Sequence, residues 1–324
     1  KKLNETIEFV KKINDDCPIT FFEITTAVAF VLFQRSNSDF LILETGLGGR
    51  LDATNIIPKK LCSIITPISY DHEEFLGKTI YKITREKLGI IKNNDFVIIS
   101  KQRNQVKDYI KKKLSKIKNI YYYGTHFKIN NLENKFKFSF NKTTTRFIDQ
   151  PKLHGIHQVE NASIALAFSE IMYKKKYRIS FNKINKAINE TRWPGRLEML
   201  NYHNKKIILD GSHNTEGAVK LKDFLKQKKI KPVVVFGMLN NKKINVFLNT
   251  IKNQIRNIIA IEIPNEKNTF KLNQIGKSCK LLSIDYLKIN NVNELVRFIE
   301  KSEERFFLIT GSLYLVGKVR KRFL

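Results

Sequence analysis

Apolar and polar positions follow two different periods along this chain. In FFEITTAVAFVLFQ (21 to 34) and TIYKITREKLGIIK (79 to 92) apolar residues recur at helical spacing, and the first run is apolar enough to predict a mostly buried helix. Around them lie short continuous apolar runs, DFLILE (39 to 44), LCSIITPI (61 to 68) and DFVIIS (95 to 100). Runs of that length without alternation predict strands covered on both faces, as in a parallel sheet. Residues 120 to 149 change character: YYYGTHFKINNLENKFKFSF alternates and is rich in aromatics, Asn and Gly, which predicts an antiparallel hairpin insert. Helical patterns resume at 158 to 175 and 180 to 191. A second series then begins, with strands expected at KKIILD (205 to 210), PVVVFG (232 to 237), IRNIIAIEI (255 to 263) and RFFLITG (305 to 311), and helices at 216 to 228 and 293 to 302.

Strands alternating with helices predict a doubly wound α/β architecture. Pro194-Gly195, inside TRWPGR, interrupts the pattern, and the period restarts after it. The expected organisation is therefore two domains. Residues 1 to 194 carry a parallel sheet with a small antiparallel insert, and residues 195 to 324 carry a Rossmann-like sheet.

A length of 324 residues suffices for two such cores. No apolar run approaches the ~20 residues of a membrane-spanning helix, and no leader pattern is visible. Cys17, Cys62 and Cys279 show no paired spacing, so a disulfide framework is not expected and a reducing cytoplasm fits. Fifty-nine basic against 30 acidic residues give a formal charge of +29. The lysines are scattered (Lys111 to Lys113, Lys174 to Lys176, Lys226 to Lys229) where helices show solvated faces, and no nucleic-acid reading motif accompanies them. The positive field still favours anionic substrates.

Chemistry concentrates at strand ends, where parallel sheets gather ligands. Glu44 ends an apolar run and opens a loop with Gly46, Gly48 and Gly49. It either delivers a carboxylate to a site or sits in a solvated capping loop. Ser69-Tyr70-Asp71-His72 follows the next run. Glu44 and His72 could share a divalent cation: carboxylate suits Mg²⁺, while imidazole draws toward Mn²⁺ or Zn²⁺ or is simply structural. In the second series, Asp210-Gly211-Ser212-His213-Asn214 follows a strand and opens a helix. Asp210 suits a ribose hydroxyl or an imidazole, and Asn214 suits a helix cap. Thr310-Gly311-Ser312 repeats the arrangement and offers N–H groups to an anion.

Taken in order, ETGLGGRLDATNII (44 to 57), SYDHEEFLGKTIYKITREKLGIIK (69 to 92), HQVENASIALA (157 to 167), RWPGRLE (192 to 198), LDGSHNTEGA (209 to 218), FGMLNNKK (236 to 243) and TGSLYLVGKVR (310 to 320) resemble the folylpolyglutamate synthase and dihydrofolate synthase family, in the Mur ligase group. The resemblance implies an ATP-dependent ligase that adds L-glutamate to dihydropteroate, to tetrahydrofolate, or to both, through an acyl phosphate. It implies ATP as substrate, Mg²⁺ as cofactor, and a cytoplasmic monomer without nucleic-acid or membrane partners. By the family motif, Glu44 and His72 are magnesium ligands, and Lys87 is the lysine that becomes carbamylated and joins them. Asn161 contacts adenine, Arg196 the phosphates, and Asp210 the nucleotide. His213 and Ser312 lie where incoming glutamate binds and act in catalysis. Thr20, Phe21, Phe22, Leu51, Asp52 and Ala53 match the pterin site.

One departure is large. The family's glycine-rich phosphate loop and its lysine do not occur in this sequence, so the resemblance implies a chain truncated at its N-terminus, with weak ATP binding and little turnover on its own. Polyglutamylation alone, ligation of another amino acid by a Mur-type enzyme, and an inactive scaffold are the alternative readings.

Overall fold

The computed structural model describes residues 1–92, 96–175, 177 and 179–324. Asp95, the first residue of an expected strand, and Lys176 lie outside these. The chain forms two compact units, Lys1–Gly124 and Thr125–Leu324.

The first unit begins with α1 (Lys2–Asn14) and α2 (Phe21–Gln34). α2 starts where Thr20 and Glu23 close a reciprocal cap: Thr20 accepts the Glu23 N–H, and the Glu23 carboxylate accepts the Thr20 N–H. A three-stranded parallel sheet follows, β1 (Cys62–Ile65), β2 (Phe96–Ile99) and β3 (Ile120–Tyr122), in that order across the sheet. The short α3 (Glu73–Leu76), then α4 (Ile80–Leu88) and α5 (Asn104–Lys113), connect the strands. Ile65, Ile83, Val97, Ile99, Val106 and Ile110 form its core.

The expected strand at 39 to 44 is a correction: these residues join no ladder. Phe40, Leu41 and Ile42 are exposed, Ile42 to 91%. An apolar run becomes a strand only where a neighbouring backbone pairs with it, and the run reads the same with or without that neighbour. Ile120–Tyr122, taken for part of the insert, instead extends the parallel sheet.

In the second unit the insert is a three-stranded meander, β4 (Phe127–Asn131), β5 (Lys135–Phe140) and β6 (Thr144–Asp149). Alternation puts Phe136, Phe138 and Phe140 on one buried face, and α6 (Ile156–Lys174) packs against β4 and β5. α7 (Phe181–Glu190) follows.

A six-stranded sheet completes the unit. Its strands are β7 (Glu198–Tyr202), β8 (Lys205–Leu209), β9 (Val233–Phe236), β10 (Ile258–Ala260), β11 (Tyr286–Lys288) and β12 (Phe306–Thr310). Their order is β11-β10-β9-β12-β8-β7, parallel except for the edge strand β7. Side chains sort by parity. Ile208, Val234 and Phe236 pack with α8 (Thr215–Lys228), α9 (Ile244–Ile251) and α10 (Leu272–Leu281). Ile207, Leu209, Val233 and Val235 pack with α11 (Val292–Lys301) and α12 (Leu313–Arg320). The helices that follow β8 and β9 thus cover one face, and the helix that follows β12, lying between them, covers the other. In open α/β sheets ligands gather at such a reversal, beyond the carboxyl ends of the strands.

Candidate active site

In the first unit, glycines let the 46–50 loop dock on the last turn of α4, the turn that carries Lys87. A Cβ on Gly49 would stand 2.8 Å from the Glu86 carbonyl oxygen and 3.2 Å from Lys87 Cα, at φ +157°. A Cβ on Gly89 would stand 2.6 Å from Arg50 Cα. The Arg50 N–H donates to the Glu86 carbonyl at 2.8 Å, and its Nε to the Glu86 carboxylate at 3.1 Å. Two glycines, one on each partner, make this contact possible.

Asp52 holds the loop closed. Its Oδ2 accepts the Gly46 and Leu47 N–H groups, and its Oδ1 the Thr54 N–H and hydroxyl, at 2.6 to 3.0 Å. A pterin N–H would have to displace one of these bonds. The other expected pterin residues gather beside this loop. The Phe22 ring lies against Gly46, whose added Cβ would be 2.4 Å away, and α2 touches the 3₁₀ turn Ala53–Ile56. Thr20 caps α2 at that end, and Phe21 and Leu51 stand 84% and 79% exposed. Exposed apolar side chains flanking a polar loop suit a flat heterocycle.

His72 caps α3 in the left-handed conformation, φ 50° and ψ 39°, a strained position for a non-glycine. Asp71 accepts the His72 N–H at 3.0 Å, and its Oδ1 is 3.9 Å from the imidazole Nε2. The same carboxylate reaches Lys87 electrostatically. Burial pushes the Lys87 ammonium below its ordinary range, and Asp71 partly restores it. Asp71 therefore joins two of the three expected metal residues, His72 and Lys87, and the sequence reading assigned it no role; an acid directly before the histidine was the available signal. Glu44 is exposed at the mouth of the glycine loop. Among the described residues no three His, Cys, Asp or Glu side chains could hold a metal together. The donors nonetheless suit Mg²⁺, which takes one or two carboxylates and draws its remaining oxygens from phosphate and water. A half-buried lysine that disfavours its ammonium form is also one that can carry a carbamate.

In the second unit the site is built by three loops. Asp210 ends β8 fully inside the protein: its Oδ2 accepts the Leu197 N–H and its Oδ1 the Ser212 N–H, each at 3.1 Å. Burial pushes its carboxyl up, and these N–H donors together with Arg196 pull it back. The Gly211 N–H donates to the Gly195 carbonyl at 2.8 Å, so the 195–197 segment, with the exposed Arg196, is tied to the β8 loop. Glu198 fixes that segment from the other side, accepting the Gly195 N–H and a bidentate pair from Arg320 at 2.7 and 2.9 Å. Neither Glu198 nor Arg320 was expected from sequence. Trp193, two residues upstream of Gly195, is 63% exposed.

The β8 and β12 loops lie side by side. The Gly311 N–H donates to the Ser212 carbonyl, and Leu313 packs on Gly211. Ser312 caps α12 by accepting the Tyr314 N–H. His213 Nδ1 is 3.0 Å from the Gly211 carbonyl oxygen. Asn161, on the second turn of α6, donates to Gln158. Among the described residues no helix is long and apolar enough to cross a membrane.

The profile of the Mur ligase middle domain matches residues 2–169, and that of the dihydrofolate synthetase C-terminal domain matches residues 195–322. The chain belongs to the dihydrofolate synthase and folylpolyglutamate synthase family of Mur ligases. It is 32% identical over 318 residues to the dihydrofolate synthase/folylpolyglutamate synthase of Bacillus subtilis, covering 94% of this chain and 72% of that protein. The solved folylpolyglutamate synthase of Thermotoga maritima superposes with a TM-score of 0.82 at 27% identity, over 99% of this chain and 76% of that one. The bifunctional folylpolyglutamate synthase/dihydrofolate synthase of Yersinia pestis, solved with Mn, AMPPNP and L-glutamate, gives a TM-score of 0.82 at 23% identity, over 99% and 76%. At that identity the likeness concerns the fold alone.

Proposed function

We propose that this Mur ligase family member joins L-glutamate to dihydropteroate and extends tetrahydrofolate by further glutamates, using ATP. The observation that carries the reading is the pair of hydrogen-bonded loops bearing Asp210, His213 and Ser312, in a chain that also holds the Asp71-His72-Lys87 cluster. A carboxylate is a poor acyl donor because oxide is a poor leaving group. Transfer of the γ-phosphoryl group to one carboxylate oxygen makes an acyl phosphate. The glutamate amine then attacks the carbonyl carbon, and the phosphate leaves with that oxygen.

Each candidate residue takes a role in this scheme. Glu44, His72 and a carbamylated Lys87 would hold Mg²⁺, which would supply neutralising charge to the phosphates. Asn161 meets adenine, Asp210 the ribose and Arg196 the phosphates. With Nδ1–H donating to Gly211, the His213 Nε2 is the acceptor for the proton that the attacking amine must lose. Ser312 orients the glutamate. Thr20, Phe21, Phe22, Leu51 and Ala53 receive the pterin, with Asp52 shaping the loop beneath it. The excess of positive charge suits substrates that are all anionic. We place the functional boundary at 194/195, where the C-terminal profile begins, and the protein in the cytoplasm.

The test is incubation with MgATP, labelled glutamate and either dihydropteroate or tetrahydrofolate. Products from both support the bifunctional reading. Extension of tetrahydrofolate only reduces it to polyglutamylation, and labelled product from neither rejects it. With ¹⁸O in the substrate carboxylate, one labelled oxygen is expected in the released phosphate.

A further inference from the structure

α8 turns one stripe toward the start of α6. The Phe224 and His154 ring centroids are 6.0 Å apart. Phe224, Gln227 and Lys228 line a cavity of about 180 Å³ together with His154, Gly155 and Ile156. Lys220 precedes Phe224 by four residues and so lies on the same stripe, one turn nearer the β8 loop. It is half-buried and makes no hydrogen bond or ion pair with any described residue.

His157 stands opposite. Its ring packs on Gly155 and therefore beside Leu197, whose side chain a Gly155 Cβ would also meet at 3.3 Å. Burial, then Lys220, then Arg196 push its imidazole down to about 4, so it adds no charge near neutral pH. Arg196 is likewise without a hydrogen bond or ion pair among the described residues. Asp210, the nearby acid, is turned to the N–H groups of Leu197 and Ser212. Two unpartnered cations thus reach one imidazole. Asn161 lies one turn further along α6 from that imidazole, on the same face.

We propose that Lys220 is a further phosphate-binding residue of the nucleotide site, working beside Arg196; this rests on the ligase reading above. Lys220 has no counter-ion among the described residues, and the one acid that Arg196 reaches, Asp210, is turned to N–H groups, so an anion bridging the two cations relieves their repulsion. An ammonium acts as a point charge on phosphate, while the guanidinium offers a bidentate fork. Lys220 discriminates a nucleotide from a nucleoside and contributes little to adenine recognition.

Calorimetric titration of the whole chain with MgATP, and separately with adenosine, tests this. Lys220→Met is expected to weaken MgATP binding about five- to fiftyfold and to leave adenosine within about twofold. Its MgATP affinity should also fall less steeply with salt than that of the parent. Lys220→Arg should stay within about threefold of the parent, and Lys226→Met, on an exposed position of α8, should match it. Unchanged MgATP affinity in Lys220→Met, an equal loss for adenosine, or no MgATP binding by the parent chain overturns the assignment. If the parent still ligates glutamate while Lys220→Met binds MgATP normally, only the Lys220 assignment falls. If the parent makes no glutamylated product but Lys220→Met loses MgATP selectively, the ligase reading falls and the assignment stands.

Discussion

Every residue of β9 is buried, and the sheet around it is covered on both faces by helices. In the Lys1–Gly124 unit, by contrast, Phe21 and Leu51 stand 84 and 79% exposed near the glycine loop. The difference separates two tasks. The six-stranded sheet is a scaffold that holds polar loops at its carboxyl edge. The first unit keeps Phe21 and Leu51 in solvent, beside a loop closed by one aspartate, where the proposed scheme seats the pterin. It is also the part with less buried area to resist local opening.

The comparison can be broken from the larger effect downward. Lys87→Ala should reduce glutamate ligation about a thousandfold in a product assay, as expected when charge stabilisation at a phosphoryl site is lost. Its thermal stability should hold or rise. Where Lys87 carries no carbamate, the folded protein depresses its ammonium and so weakens the parent at neutral pH, and that penalty fades as pH rises through the lowered folded value toward the ordinary lysine range.

Gly49→Ala should destabilise the first unit by about 2–4 kcal/mol, through the carbonyl it would meet and its positive φ. Hydrogen exchange should quicken across residues 46–92 and stay unchanged in β8, β9 and β12. Uniform quickening in both units would deny that they respond separately. Asp52→Ala frees four donors at once and should cost about 1–3 kcal/mol, with a raised KM for the pterin substrate and kcat less affected.

Glu198→Gln should cost about 1–2 kcal/mol by loosening Arg320 and the Gly195 N–H. Arg320 holds the Glu198 carboxyl below its usual range. The parent should therefore enjoy the full contribution above the ordinary glutamate value and lose it as pH falls through the lowered folded value. Acid titrations of the two proteins, followed by thermal unfolding, should converge at low pH.

Much of this was legible in the chain. The α2 pattern matched its helix from Phe21 to Gln34, but the expected burial did not follow, since Val28 alone is buried there; the second series placed β8, β9 and β12 within a residue or two, because buried parallel strands are unbroken apolar runs. Residues 39 to 44 read the same way and form no ladder, since pairing is a property of the neighbour. β7 went unread because an edge strand with Glu198, Asn201 and one bonded side lacks that apolar signature. The candidate site residues were proposed from motifs. Asp71, Glu198 and Arg320 were not, because their contribution depends on contacts such as the 122-residue span from Glu198 to Arg320.

The sequence contains a single tryptophan, and it is Trp193. Its indole is exposed just upstream of the backbone that reaches Gly211 and Asp210. Its tryptophan emission, excited apart from the tyrosines, is therefore a report from one place. Nucleotide or glutamate entering the site can be followed by fluorescence without attaching any dye.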